Sequence, residues 1–176
     1  MIVYAKWWKF RHAERMIALV PWRGDENVLD AGTGRGLLMI AAAKRLSTGQ
    51  AVGIDIWSAK DLSGNTLQNT LRNAELEGVR ERIQILTADA TQMSFPDGTF
   101  DVVLSNLCLH NIPSRAGRKR ACQEIMRVLK PGGRAVISDY IHTRSYAAWF
   151  RETGAQTKRS AFLAMPPLFV VDVQKP

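Results

Sequence analysis

Cysteine is scarce in this 176-residue chain, which has only Cys108 and Cys122, and neither stands at metal-ligand spacing from a partner. Two isolated thiols do not make a disulfide scaffold, so a reduced compartment is expected. The three histidines, His12, His110 and His142, are widely separated. That leaves no zinc pattern, and no metal dependence is expected. Long apolar runs are also absent: none approaches the roughly 18–20 residues needed to span a membrane. The N-terminus shows no hydrophobic signal core, so a cytoplasmic location is the default expectation. Low-complexity tracts and internal repeats are missing as well.

What remains is an ordinary globular composition, with 46% hydrophobic and 23% charged residues. The length suits one domain over 1–176, able to bury roughly 70% of the surface that the unfolded chain exposes. The net charge of +8 is compatible with nucleic acid, membrane or acidic partners, so its distribution matters. One basic segment contains Arg115, Arg118, Lys119, Arg120, Arg127 and Lys130, interleaved with Ala121, Ile125, Met126, Val128 and Leu129. It reads as a helix with one solvated and one packed face. No stacking aromatics accompany it, so nucleic acid is not the expected partner. The other segment is the N-terminus, where Tyr4, Trp7, Trp8 and Phe10 alternate with Lys6, Lys9 and Arg11. These aromatics fit docking onto the outer helices of a sheet. They also fit a peripheral contact with membrane headgroups.

The most informative stretch is Asn27 to Gly36, NVLDAGTGRG. A buried strand ends in Asp30 and Ala31, and Gly32, Thr33, Gly34 and Gly36 then let the backbone turn tightly beneath a ligand. The helix that follows, Leu37 to Leu46, offers free N–H groups and a positive dipole end to a polar or anionic group. A second strand, Ala51 to Ile56, carries Asp55, placed to accept hydrogen bonds from ribose hydroxyls. A third, Ile83 to Leu86, leads to Ala88, Asp89 and Ala90. A fourth, Phe100 to Ser105, ends at Asn106. Four strands thus carry polar residues at their C-terminal ends, where open parallel sheets bind ligands.

These residues resemble the class I S-adenosylmethionine-dependent methyltransferases, and among them the small ubiquinone-biosynthesis-like branch. Asp30, Gly32, Gly34 and Gly36 match the first motif of that family, Asp55 its ribose-binding acid, and Asp89 with Ala90 its adenine-reading position. Phe100 to Asn106 is similar to its fourth-strand motif, and Leu129 to Arg134 to the turn before strand five. The resemblance implies S-adenosylmethionine as cofactor, becoming S-adenosylhomocysteine, with the methionine end held by the glycine turn. It implies a small-molecule acceptor. It also implies that the aromatic leader, residues 1–24, serves as a lid over the acceptor pocket, through Trp7 and Trp8. The leader is short for the family, so a second subunit, as in a homodimer, or further sequence could complete the lid.

Two departures bear on the acceptor. Asn106 is followed by Leu107, Cys108 and Leu109 rather than by the Pro-Pro-aromatic motif of enzymes that methylate base or glutamine amides, which argues against those acceptors. The loop after Asp55, Ile56 and Trp57, with Lys60, Asp61, Leu62, Ser63, Gly64 and Asn65, has two readings. It folds over the adenosine with Trp57 against the adenine, or it is a solvated connection with Asn65 as helix cap.

The remaining elements expected are helices at His12 to Val20, Thr66 to Glu77 and Ser145 to Thr153, and strands at Arg134 to Tyr140, Lys158 to Ala164 and Leu168 to Val173. Pro166 and Pro167 split the last two. The fold expected is α/β: a Rossmann-like, seven-stranded, mostly parallel sheet with one antiparallel edge strand and helices on both faces. A sulfonium methyl is already activated, so the protein mainly has to align the acceptor and exclude water. Where a proton must leave, His110 is the candidate base, because histidine ordinarily titrates nearest neutrality. Asn106, Asp139, Tyr140 and His142 stand near the same strand ends. Two other functions compete: a nicotinamide-dependent oxidoreductase, disfavoured because no Tyr-x-x-x-Lys pair is present, and a non-catalytic cofactor-binding subunit completed by a partner.

Overall fold

The strands β1 (Asn27–Ala31) and β4 (Phe100–Asn106), each apolar along most of its length, lie side by side at the centre of the sheet. In both, nearly every residue is buried on one face or the other, as parallel strands covered on two sides require. The computed structural model describes residues 2–58, 64–162 and 167–176, with side chains from residue 8 onward. Around the central pair run α1 (Ile2–Ile17), α2 (Leu37–Ala43), β2 (Gln50–Asp55), α3 (Leu67–Leu76), β3 (Ile83–Thr87), α4 (Arg115–Val128), β5 (Leu129–Asp139), α5 (Thr143–Glu152), β6 (Gln156–Phe162) and β7 (Leu168–Gln174).

Seven strands form one sheet in the order β3-β2-β1-β4-β5-β7-β6. The first five are mutually parallel, and β7 runs against both of its neighbours. The reversed strand expected at the margin is therefore β7. It stands one place in from the edge, which β6 occupies. Chain order reverses between β1 and β4, and a ligand crevice opens above the C-terminal strand ends at such a switch.

Alternation along the strands sends apolar side chains to two cores. Met16, Ile17, Leu38, Met39, Val28, Leu104 and Val136 fill the face covered by α1 and α2. Leu29, Val103, Ile125, Met126, Ile137, Tyr146 and Phe150 fill the face covered by α4 and α5. The basic helix α4 begins at Ser114, whose hydroxyl accepts from Gly117 N–H at 2.9 Å. It buries Ala121, Cys122, Ile125 and Met126 while Lys119 pairs with Glu152 on its outer side. Arg127 instead turns back to the connection between β3 and β4, residues 88–99, which contains no helix. Its guanidinium donates to Phe95 O at 2.7 Å and Met93 O at 2.9 Å and pairs with Asp97 and Glu124.

The first helix differs from the sequence expectation of His12 to Val20, since it starts at Ile2 and takes in the aromatic leader. The reason is long-range. Trp8, His12 and Arg15 fall on one stripe at i, i+4, i+7, and all three close on Phe162 of β6. The Trp8 and His12 rings stand 5.3 and 5.0 Å from the Phe162 ring, and the Arg15 guanidinium 4.6 Å from it. The side chains of Tyr4, Lys6 and Trp7 lie outside the described residues, as does Pro166. Among the described residues no helix is long and apolar enough to cross a membrane.

Candidate active site

The turn after β1 is held by its neighbour strand: the N–H groups of Gly32 and Thr33 both donate to Ile54 O at 2.9 Å, and Gly36 N–H donates to Thr33 O at 2.8 Å. Gly32, Gly34 and Gly36 have φ of 76°, 53° and 86°, in the left-handed region that a Cβ disfavours. Asp30, 2% exposed, is the keystone of the turn. Its Oδ2 accepts from the Thr33 hydroxyl at 2.9 Å and from Met39 N–H at 3.0 Å, so one carboxylate ties a strand end to the first turn of α2. Burial pushes the Asp30 carboxyl up to about 7, with the Asp55 charge acting in the same direction and the bonds from Thr33 and Met39 opposing.

Asp55, at the tip of β2, accepts three hydrogen bonds. Gly34 N–H reaches Oδ2 at 2.8 Å, while Trp57 N–H at 2.7 Å and the Asn65 amide at 3.1 Å reach Oδ1. A carboxylate offers about four such positions, so among the described residues one on Oδ2 is not taken. Trp57 has φ of 59°, a costly conformation for a bulky residue. Its indole N–H donates to Thr87 Oγ1 at 2.8 Å, aiming the ring toward the end of β3. Ile56 beside it is 61% exposed.

Thr66, not Asn65, caps α3, its hydroxyl accepting from Asn69 N–H. The cap reading of Asn65 is thereby corrected. The Asn65 amide is engaged by Asp55, and its Oδ1 is buried without a partner among the described residues. Lys60, Asp61, Leu62 and Ser63, expected over the adenosine, lie outside the described residues. Asp89 and Ala90 follow β3, whose Thr87 pairs in register with Asp55. Asp89 closes a turn by accepting from Thr91 N–H at 2.7 Å.

On the other side of the glycine turn, Asn106 ends β4 in register with Ser138 of β5. The Asn106 Oδ1 is likewise buried and unpartnered. Cys108 tucks its sulfur under Gly32, where a Cβ would meet Sγ at 2.1 Å. Burial pushes the Cys108 thiol up to about 12, helped by the charges of Asp55, Asp30 and Asp139, so it stays protonated and inert.

His110 sits in a short 3-10 turn, residues Leu109–Asn111, against Asp139 at the end of β5. Asp139 Oδ2 accepts from His110 N–H at 3.0 Å and Oδ1 from Tyr140 N–H at 3.0 Å. The His110 Nδ1 lies 2.8 Å from Oδ1, within pairing distance of the carboxylate. Burial raises the Asp139 carboxyl, and the His110 charge and hydrogen bonds oppose that. The Tyr140 ring packs edge-on against His110 at 4.7 Å. His142 stands apart from this pair, opening α5 with φ of 64°.

The structure thus brings Asp30, Ala31, Gly32, Thr33, Gly34, Gly36, Asp55, Ile56, Trp57, Asn65, Asp89, Ala90, Asn106 and His110 to the C-terminal side of the sheet. It adds one residue that nothing in the sequence marked, His12 of α1. That ring is 2% exposed, and its Nε2 lies 2.7 Å from Ser138 Oγ. Burial pushes His12 down to about 4, with Asn106 opposing and Arg15 adding to the shift. A lone histidine 126 residues from its partner carries no local signal.

Comparison with known proteins agrees with this geometry. The methyltransferase domain family matches residues 29–137. The chain is 31% identical over 136 residues to a demethylmenaquinone methyltransferase of Symbiobacterium thermophilum, covering 77% of this chain and 50% of that protein. It is 34% identical over 134 residues to a ubiquinone/menaquinone biosynthesis C-methyltransferase of Hydrogenovibrio crunogenus, covering 76% and 48%. The chain spans about half the length of the curated relatives it matches. A methyltransferase from Aquifex aeolicus, described as dependent on the same cofactor, superposes with a TM-score of 0.73 at 17% identity, over 93% of this chain and 89% of that one.

The Gly32 contact gives a direct test. Gly32→Ala forces both a left-handed alanine and an overlap with Cys108, and is expected to destabilise by about 2–4 kcal/mol. Cys108→Gly in the same chain should recover part of that loss in urea unfolding. An unchanged midpoint for Gly32→Ala would show that the turn is not built this way.

Proposed function

The chain belongs to the methyltransferase domain family, in the ubiquinone-biosynthesis-like branch of the class I S-adenosylmethionine-dependent methyltransferases, and from that footing we propose that it transfers a methyl group from S-adenosylmethionine to an oxygen, nitrogen or carbon of a small or lipophilic acceptor. One observation carries the reading to this site. Two buried amide oxygens without partners, Asn65 Oδ1 and Asn106 Oδ1, flank a turn of three left-handed glycines. Each unpaired buried group costs about 1–3 kcal/mol, and a ligand carrying hydroxyl and ammonium donors would satisfy both.

The roles follow from the chemistry of the groups. Ala31 to Gly36 receive the methionine end. The open position on Asp55 Oδ2 accepts a ribose hydroxyl, with Asn65 Oδ1 as the neighbouring acceptor. Ile56 and Trp57 on one side, and Asp89 and Ala90 on the other, enclose the base. When bound, the cofactor supplies an electrophilic methyl on a sulfonium sulfur. Leu107, Tyr140 and Ile141 are 40–43% exposed and make an apolar rim beside His110, which favours a lipophilic acceptor and keeps water from it. His110 takes the proton when the acceptor has one to lose, and Asp139 holds the ring and stabilises its charge.

Calorimetric titration should show micromolar binding of S-adenosylmethionine and S-adenosylhomocysteine and none of NAD. Asp55→Ala should weaken binding by about 1.5–3 kcal/mol. Equal affinity in that variant would remove Asp55 from the site.

Asp30 sets the pH dependence. Its folded carboxyl titrates near 7, above the ordinary value of about 4, so it favours folding only while protonated. That contribution is complete below pH 4 and lost progressively up to pH 7. A cationic ligand prefers the ionised form. Affinity for S-adenosylmethionine should therefore fall below pH 7, by at most about tenfold per pH unit, and Asp30→Asn should flatten the profile. A profile unaltered by that substitution would assign the titration elsewhere.

For acceptors that lose a proton, His110→Ala should lower kcat by about 10²–10⁴-fold with S-adenosylhomocysteine affinity intact. Full activity in the variant would mean that proximity alone carries the reaction.

A further inference from the structure

The sheet carries a second polar group from a helix outside the glycine turn. His12 of α1 is enclosed by Ser138, by Phe162, whose ring lies 5.0 Å away, and by Asn106. Its Nε2 contacts the Ser138 hydroxyl at 2.7 Å, while its Nδ1 is buried without a partner. Asn106 Oδ1 is buried without a partner too. The Asn106 side chain nevertheless acts on the ring, favouring a proton there. Asn106 stands beside Ser138 in the register of β4 and β5, and His12 reaches Ser138 from α1, so a ring nitrogen and a carbonyl oxygen, each buried without a partner among the described residues, belong to side chains that meet at these strand ends.

Their hydrogen-bonding capacities fix how they can pair. If the Ser138 hydroxyl donates to Nε2, the neutral imidazole carries its proton on Nδ1. The Nδ1–H then requires an acceptor, and the buried Asn106 carbonyl, which has no partner among the described residues, is of the right kind. An amide oxygen has two lone pairs, so binding His12 leaves the second for a ligand. A hydrogen bond that is poorly aligned without ligand can tighten once the ligand draws the amide into place.

We propose that His12 is a positioning residue: through Nδ1–H it aims the Asn106 carbonyl oxygen at a donor group of the bound cofactor, so that docking of α1 and cofactor binding favour each other. This rests on the reading that Asn106 faces the cofactor. The relay runs from Ser138 on β5, through His12 on α1, to Asn106 on β4. It is uncharged at neutral pH and so adds no repulsion toward a cationic ligand. The coupling is reciprocal: what α1 gives to cofactor affinity, the cofactor returns to the docked helix.

A double-substitution cycle with S-adenosylhomocysteine tests it. His12→Phe and Asn106→Ala should each weaken binding about five- to tenfold, and the double variant should be no weaker than Asn106→Ala alone. His12→Asn, which keeps a donor near the Nδ1 position, should bind more tightly than His12→Gln, which keeps only the Nε2 position. Wild-type affinity in His12→Phe, or additive losses in the double variant, would overturn the proposal. Melting curves for each variant separate a loss of fold from a loss of aim.

A ligand-free readout distinguishes failure of this proposal from failure of the cofactor assignment. Imidazole ¹⁵N resonances of the whole chain at pH 7 should show His12 protonated on Nδ1, with that signal displaced by Asn106→Ala. Protonation on Nε2, or a signal indifferent to Asn106, would sink the relay even if the cofactor binds. Absence of S-adenosylhomocysteine binding in the wild type would overturn the proposal together with the reading beneath it, whatever the ring reports.

Discussion

The buried carboxylate of Asp30 is the constraint on which the rest of the site depends. It binds the hydroxyl of Thr33 and the N–H of Met39 at once, and so fixes the angle at which β1 gives way to α2. Three glycines in left-handed conformation are the local requirement of that angle. The turn then orders its neighbours: Ile54 O receives two of its N–H groups, and Asp55 receives a third at Gly34. The thiol of Cys108 fills the space beneath Gly32. An acid kept so far from water is costly, and here that cost is offset by the two hydrogen bonds that it accepts from Thr33 and Met39.

Two histidine-centred groups stand on opposite faces of the sheet. His110 with Asp139 lies on the side of α4 and α5, and His12 with Ser138 on the side of α1 and α2. Their environments push them to different uses. His110 has a buried carboxylate partner and an exposed aromatic beside it. His12 is enclosed by apolar rings and a hydroxyl and is held neutral by burial, an arrangement suited to direction without charge.

Much of this was legible in the sequence, for physical reasons that differ by residue. The glycine turn and the acids at the ends of β1 and β2 are local, because turn chemistry and strand length alone place them. β1 falls at the expected residues, Asn27 to Ala31, since a short apolar run between a turn and a glycine has little freedom. Other features depend on contacts distant in the chain. Asn65 reads as a cap from its neighbours, yet Thr66 caps the helix because Asp55 has claimed the Asn65 amide. The helix expected from His12 instead starts at Ile2, because Phe162 offers its inner stripe something to pack on. His12 had no sequence signal, since its partners come from three other strands.

That packing on Phe162 has a kinetic side. The surface that receives Trp8, His12 and Arg15 does not exist until β6 has paired with β7 and β7 with β5, strands far from α1 in chain order. Helix α1 thus finds its place late, since closure of so long a loop is slow relative to local helix formation. During that interval the stripe of α1 that later packs on Phe162 is exposed, open to contacts other than the native one.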